Sequence, residues 1–162
     1  MKSEIITERQ ESVEAYLLTN DDTDLPIEVM ETEGKGRGVV TKQDIKKNDL
    51  IVEYAGELLS LREALERETQ YTNNSETGSF MYFFRFNETK FCVDATEESG
   101  RLGRLINHSR VSPNCVTKVV KFHGKPRLVL VAKCDIEKGV ELLFDYGERR
   151  KSAVTALPWL AR

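Results

Sequence analysis

Two segments about forty residues apart hold residue types that an ordinary core excludes: Arg104-Leu105-Ile106-Asn107-His108-Ser109 and Glu141-Leu142-Leu143-Phe144-Asp145-Tyr146-Gly147. Each joins apolar residues suited to a buried element to polar groups, so a polar site meets a packed interior there. A third cluster, Gly34-Lys35-Gly36-Arg37-Gly38, is backbone that lets a ligand approach N–H and C=O groups closely. It is not a phosphate-binding Walker loop, because G-x-x-x-x-G-K-[ST] is missing. It also fails the dinucleotide fingerprint, because Val39 stands where the third glycine should be and no helix pattern follows. Metal chemistry has little to build on. His108 and His123 are the only histidines, and Cys92, Cys115 and Cys134 lack CxxC spacing.

Taken singly, these motifs have plainer readings. Asn107-His108-Ser109 can be a capped turn with a satisfied histidine. Phe80-Met81-Tyr82-Phe83-Phe84 reads as a sheet core with alternate rings on opposite faces, and the glycine cluster as a turn. Their joint occurrence and order point to a site.

The elements that must position these residues are mostly short strands. Ser3 can cap a helix to about Leu18, with Ile6, Val13 and Leu17 on one stripe and Glu8 and Glu11 opposite. Asn20-Asp21-Asp22 and Pro26 break it. Strands are expected at Glu28 to Glu31, Arg37 to Thr41 and Leu50 to Tyr54. Ser60-Leu61-Arg62-Glu63 fits a capping box and opens a helix to about Gln70. Two hairpins follow, Ser79 to Phe86 with Lys90 to Asp94 around Asn87-Glu88-Thr89, and Val116 to Phe122 with Arg127 to Lys133 around His123-Gly124-Lys125-Pro126. Without gaps, Lys42 to Glu57 matches Lys133 to Glu148 at six of sixteen positions. The plain reading is two similar turns with similar turn chemistry. Both copies nevertheless deliver a tyrosine, Tyr54 and Tyr146, at a strand exit.

The 162 residues make one ordinary domain, and 40% hydrophobic with 31% charged content suits a soluble globular protein. No apolar run approaches the roughly 18 residues of a membrane span, and acidic residues interrupt Met1 to Asn20 where a signal peptide would need its apolar stretch. Odd cysteines without a framework fit a reducing compartment. The net charge of −3 is uneven. Residues 1–33 hold ten acids against Lys2 and Arg9, giving −8, and the rest is +5. An acidic arm on a basic body could receive a cationic peptide while the body faces a polyanion; a solvated helix face and ordinary surface explains the same pattern.

In order, Lys35-Gly36-Arg37-Gly38, Glu53-Tyr54-Ala55-Gly56, Phe80 to Phe84, Cys92-Val93-Asp94-Ala95, Arg104 to Ser109, Asn114-Cys115 and Glu141 to Gly147 resemble the SET-domain protein lysine methyltransferases. The Gly103 to Ser109 block, the N-terminal helix and the Pro158-Trp159-Leu160 ending are most similar to the enzymes that methylate lysine 20 of histone H4. The resemblance implies an α+β, mostly β fold of the β-clip type: small curved sheets, a C-terminal pseudoknot, and flanking helices. The expected divisions are an N-terminal helical flank at 1–26, a SET domain at 27–148 with a helical insert at about 60–72, and a helical flank at 149–162 that closes the cofactor site.

It also implies S-adenosylmethionine as methyl donor, with S-adenosylhomocysteine as product. Lys35, Gly36 and Arg37 would cradle its amino-acid end, Asn107 and His108 would contact the adenine, Phe80 would line the pocket, and Trp159 would stack on the purine. Tyr146 and Tyr54 would hold the acceptor amine, and Phe144 would stand beside it. The zinc-binding cysteines that follow the domain in many relatives are missing after Gly147, so no metal is expected. The implied partners are the histone H4 tail or the nucleosome, with the basic body against nucleosomal DNA, no membrane, a monomer, and a place in the nucleus on the chromosome.

Phe144 departs from the pattern, since relatives that add one methyl carry a tyrosine there that anchors a water beside the amine. Phenylalanine removes that anchor and implies a product beyond monomethyl-lysine, the dimethyl form. Ser79 and Phe80 replace a cysteine and a tyrosine. A non-histone substrate, or a silent SET-like module that only binds peptide, are the alternatives.

Overall fold

The computed structural model describes residues 2–34, 36–73, 79–151 and 155–156, and small sheets of short strands carry its architecture. The N-terminal helix α1 (Lys2–Thr19) ends at Asn20, whose φ of 49° is the left-handed conformation that terminates helices. Its expected apolar stripe is realised at Val13 and Leu17, which pack on Val120, Val129 and Val131. Then β1 (Ile27–Thr32) pairs antiparallel with β2 (Gly36–Thr41).

After β3 (Leu50–Glu53) and β4 (Glu57–Ser60), helix α2 (Leu61–Asn73) opens on the capping box read from sequence. The Glu63 amide donates to the Ser60 hydroxyl at 3.2 Å and the Ser60 amide to the Glu63 carboxylate at 3.1 Å. Strands β5 (Met81–Phe86) and β6 (Thr89–Asp94) form a hairpin with Asn87 and Glu88 both at positive φ. A type I′ pair of turn residues explains why Thr89 belongs to the strand rather than to the turn. The rings of β5 alternate as expected: Met81 and Phe83 lie under α2 with Leu59 and Ala64, while Tyr82 and Phe84 enter the main core.

The short β7 (Asn107–His108) precedes the hairpin of β8 (Cys115–Phe122) and β9 (Lys125–Ala132). Its turn is only His123-Gly124, both at positive φ. Pro126, expected in that turn, sits in β9 opposite Lys121, beyond the three β9 residues that β3 pairs. A proline there breaks no ladder bond on the open side. The chain ends its described course with β10 (Leu143–Phe144), helix α3 (Glu148–Lys151) and β11 (Thr155–Ala156). Of the expected helical flank at 149–162, the described residues show the helical turn α3 and, at 155–156, the strand β11, parallel to β8, where it covers a sheet edge; residues 157–162 lie outside the described residues.

The sixteen-residue internal match is a structural symmetry. The Ile45 amide donates to the Ile136 carbonyl at 2.8 Å, and the Ile136 amide returns the bond at 2.8 Å. The Lys47 amide donates to the Asp135 carboxylate at 2.9 Å, and the Lys138 amide to the Asp44 carboxylate at 2.8 Å. Further out, Asn48 N–H to Ala132 O mirrors Gly139 N–H to Thr41 O, at 2.8 and 2.9 Å, and Asn48 and Gly139 share the left-handed conformation. The two turns clasp each other about a local two-fold axis.

A buried ion network ties α1 to the body. Arg101 lies between Asp22 and Glu53, Arg127 also binds Glu53, and the Tyr16 hydroxyl donates to Asp22 while accepting the Glu53 amide at 2.9 Å. Asp22, a member of the acidic arm, is therefore 4% exposed. Buried charges persist only when paired in this way.

Candidate active site

The two strand exits converge. Tyr54 leaves β3, and Tyr146 follows β10, which runs parallel to β7 in the register Leu143 to Asn107 and Phe144 to His108. Asn114 stitches the second segment down: its carboxamide donates to the Glu141 carbonyl and accepts the Leu143 amide, at 2.9 and 2.8 Å. Between the exits lies a 3-10 turn, Gly103–Leu105. Only glycine fits at its start, because a Cβ on Gly103 would stand 2.2 Å from the Glu53 carbonyl oxygen. That close approach sets the Ile106 carbonyl, which accepts the Tyr146 hydroxyl at 2.8 Å. The Tyr146 amide donates to His108 Nδ1 at 3.0 Å, so His108 bears its ring proton on Nε2.

Four aromatic rings form the wall. Tyr54 meets Tyr82 edge-on at 5.4 Å and Phe144 at 6.2 Å, Phe144 stacks along Tyr82 at 6.3 Å, and Tyr146 packs on Phe144 at 4.9 Å. The Tyr54, Tyr82 and Thr117 hydroxyls are buried, and none makes a well-formed hydrogen bond among the described residues; the Arg149 guanidinium faces the Tyr54 hydroxyl and the Thr117 hydroxyl faces that of Tyr82. Burial pushes the Tyr54 hydroxyl up to about 12 against the opposing charge of Arg149, and raises Tyr82 and Tyr146 in the same direction. All three are neutral phenols at physiological pH. A folded chain rarely leaves buried hydroxyls unpaired without a use for them, and rings plus phenols suit a cationic or amine-bearing chain end.

Around the neighbouring segment, the Asn107 carboxamide donates to the Arg37 carbonyl at 3.1 Å and to the Glu141 carboxylate at 2.9 Å, joining β7 to β2. Arg37 and Arg104 converge on one carboxylate, that of Glu98. The Arg104 side chain is buried, donating to the Ala95 and Thr96 carbonyls at 2.7 and 3.1 Å, and lies over the Phe80 ring at 4.2 Å. Gly36 has positive φ and open space where a Cβ would project. This corner fits a zwitterionic ligand: two guanidinium groups already hold a carboxylate, with a flat ring beside them.

Of the residues expected to form the site, Tyr54, Phe144 and Tyr146 share the aromatic wall, and Gly36, Arg37, Phe80, Asn107 and His108 surround the adjoining corner. Lys35 and Trp159 lie outside the described residues. Tyr82, Arg104 and Arg149 adjoin the site as well, and the one sequence signal for any of them is the arginine that opens the apolar Arg104 to Ile106 run. A separate cavity of about 810 Å³ lies against Glu57, Arg67, Asp94, Arg101 and Arg127 and meets the aromatic wall only through Tyr54.

A family model described as the SET domain matches residues 36–147. The chain is 44% identical to the N-lysine methyltransferase KMT5A-A of Xenopus laevis over 159 residues, covering 98% of this chain and 47% of that protein. It is 51% identical to the histone-lysine N-methyltransferase Set8 of Drosophila melanogaster over 128 residues, 79% of this chain and 18% of that one. The chain thus spans less than half the length of these two relatives. Among solved structures, CpSET8 from Cryptosporidium superposes with a TM-score of 0.71 at 45% identity, covering 76% of this chain and 58% of that one. A ctPRC2 structure in an autoinhibited conformation bound to S-adenosylmethionine gives 0.64 at 29% identity, over 77% of this chain and 15% of that one.

Proposed function

The chain belongs to the SET-domain family, and from that premise we propose that it transfers methyl groups from S-adenosylmethionine to a protein lysine, that of position 20 in the histone H4 tail. The observation that carries the reading is the buried Tyr54 hydroxyl, left without a well-formed hydrogen bond among the described residues, beside Tyr82, Phe144 and Tyr146. A module that only binds peptide would have no need to keep this group unsatisfied, whereas an acceptor amine gives it a partner.

When bound, S-adenosylmethionine supplies an electrophilic methyl group on a positive sulfur. Arg37, Arg104, Phe80, Asn107 and His108 are the residues suited to hold it, with Lys35 and Trp159 assigned to the same task by resemblance alone. The acceptor amine must be neutral to react, while a free lysine has a pKa of about 10.4. The apolar wall of Phe144 and Tyr82 opposes the ammonium form by desolvation, so no dedicated base is required. Tyr54 accepts an N–H of the neutral amine and leaves the nitrogen lone pair free. Tyr146 has its own proton committed to the Ile106 carbonyl, so what it offers the site is lone pairs, suited to a methyl carrying partial positive charge. Fixing these groups before reaction supplies rate through alignment.

Phe144 presents no hydroxyl to anchor a water beside the amine, which favours addition of a second methyl. A nuclear, chromosomal setting with the H4 tail or nucleosome as partner follows from this function, with nucleosomal DNA contact and a monomeric state as further parts of the proposal. The test is the product mass distribution on H4 tail peptides with and without lysine 20, using Tyr146→Phe as control. Methylation that requires lysine 20 and Tyr146 is the expected result. Transfer that survives substitution of lysine 20 redirects the substrate, and binding without transfer overturns the activity.

A further inference from the structure

Arg149 lies one helical turn beyond Tyr146, and its amide donates to the Tyr146 carbonyl at 3.0 Å. We propose that Arg149 is an internal competitor of the substrate lysine, its guanidinium standing against the aromatic wall where the acceptor amine must go. This rests on the lysine-transfer reading given above.

Three observations carry it. The guanidinium carbon stands 4.3 Å from the centre of the Tyr146 ring, the arrangement of a cation on an aromatic face. Helix α3 packs against β5, the strand that bears Tyr82. The positive charge reaches Tyr54, Tyr82 and Tyr146 together, offsetting at each hydroxyl part of the effect of burial. The cation thus stands on the Tyr146 face of the wall, beside Phe144, where a methyl-accepting amine would bind.

The chemistry of the occupant fits a competitor. A wall of rings and phenols that receives an alkylamine also offers ring faces to a guanidinium, but arginine stays protonated in proteins and has no lone pair to offer. It fills the place without reacting. Among the described residues, α3 is four residues long, far below the length at which a helix is stable alone, so it is held by its packing on β5 and by the pairing of Thr155 and Ala156 with β8. Substrate can therefore displace it. The apparent affinity for peptide is then reduced by the fraction of molecules in which the site is open.

The experiment compares wild type, Arg149→Ala, Arg149→Gln and Arg149→Lys on an H4 tail peptide. With arginine removed, the peptide KM falls about three- to tenfold while kcat holds or rises. In Arg149→Lys the new side chain keeps the charge, so folding is preserved, and it carries a nucleophile. It becomes methylated at position 149, at a first-order rate independent of protein concentration and lost when Tyr146→Phe is added. Either result supports the competitor, and Arg149→Lys decides alone if the neutral variants fail to fold. Unchanged or raised KM together with an unmethylated Lys variant overturns it, given a wild type that methylates the peptide. A wild type that methylates no peptide overturns the lysine-transfer reading instead.

Discussion

Ile45 and Ile136 exchange both of their backbone hydrogen bonds, each at 2.8 Å, and so mark the axis about which two turns 91 residues apart clasp each other. Flanking them, Asp44 and Asp135 each cap the other turn by accepting a backbone amide. Asp44→Ala and Asp135→Ala should therefore lose the same amount of stability, about 1 kcal/mol each. Urea unfolding of the two single variants measures this. A loss confined to one of them would mean that the symmetry is geometric but not energetic.

Tyr54→Phe should separate stability from activity. The ring stays packed at 1% exposure while a buried hydroxyl without a well-formed hydrogen bond among the described residues is removed, so the fold holds or gains up to about 1 kcal/mol. Methyl transfer should drop by roughly one to two orders of magnitude as the amine loses its partner. The variant should also resist base better. A tyrosine raised from 10.0 to about 12 contributes stability fully present below its unfolded value and lost as pH rises through about 12. Thermal melts between neutral pH and that limit, alongside kcat, check both halves.

Phe144→Tyr should shift the product toward monomethyl-lysine. Phe144 is 1% exposed and stacks on Tyr82, so the added hydroxyl enters a tight wall at a cost of about 1 kcal/mol. Long incubations with H4 peptide followed by mass spectrometry compare the two. If wild type stops at one methyl and the variant behaves identically, Phe144 has no say in product number.

Of the three thiols, one should be readily labelled. Burial pushes Cys92 and Cys115 up to about 12, whereas Cys134 is exposed, and only the thiolate reacts. A chromogenic disulfide reagent at pH 8 should titrate one fast thiol per chain, with the other two appearing on unfolding. Because Cys134 lies outside the aromatic wall, methyl transfer should survive the labelling.

The strands and both hairpins were legible because β-branched runs and positive-φ turn residues are local signals, and the capping box of Ser60 and Glu63 formed as written. Tyr54, Phe144 and Tyr146 were legible through an ordered series of motifs. What escaped needed three dimensions. Tyr82 reads as one more rung of a sheet core until its hydroxyl is found without a well-formed hydrogen bond among the described residues. Arg104 is buried by carbonyls eight and nine residues away, and Arg149 looks like surface charge in a basic triplet. Asp22 was read as part of a solvated arm, yet pairing with Arg101 draws it inside. Burial of a charge is decided by partners that no local pattern reveals.

The clasped turns also set the order in which the protein can assemble. The β5–β6 and β8–β9 hairpins are local and can form on the microsecond scale, whereas joining Ile45 to Ile136 requires most of the chain to be in place. Tyr54 leaves one arm of the clasp, and Phe144 and Tyr146 leave the other. The aromatic wall is thus among the last features to be completed, and a nascent or partly unfolded chain lacks it.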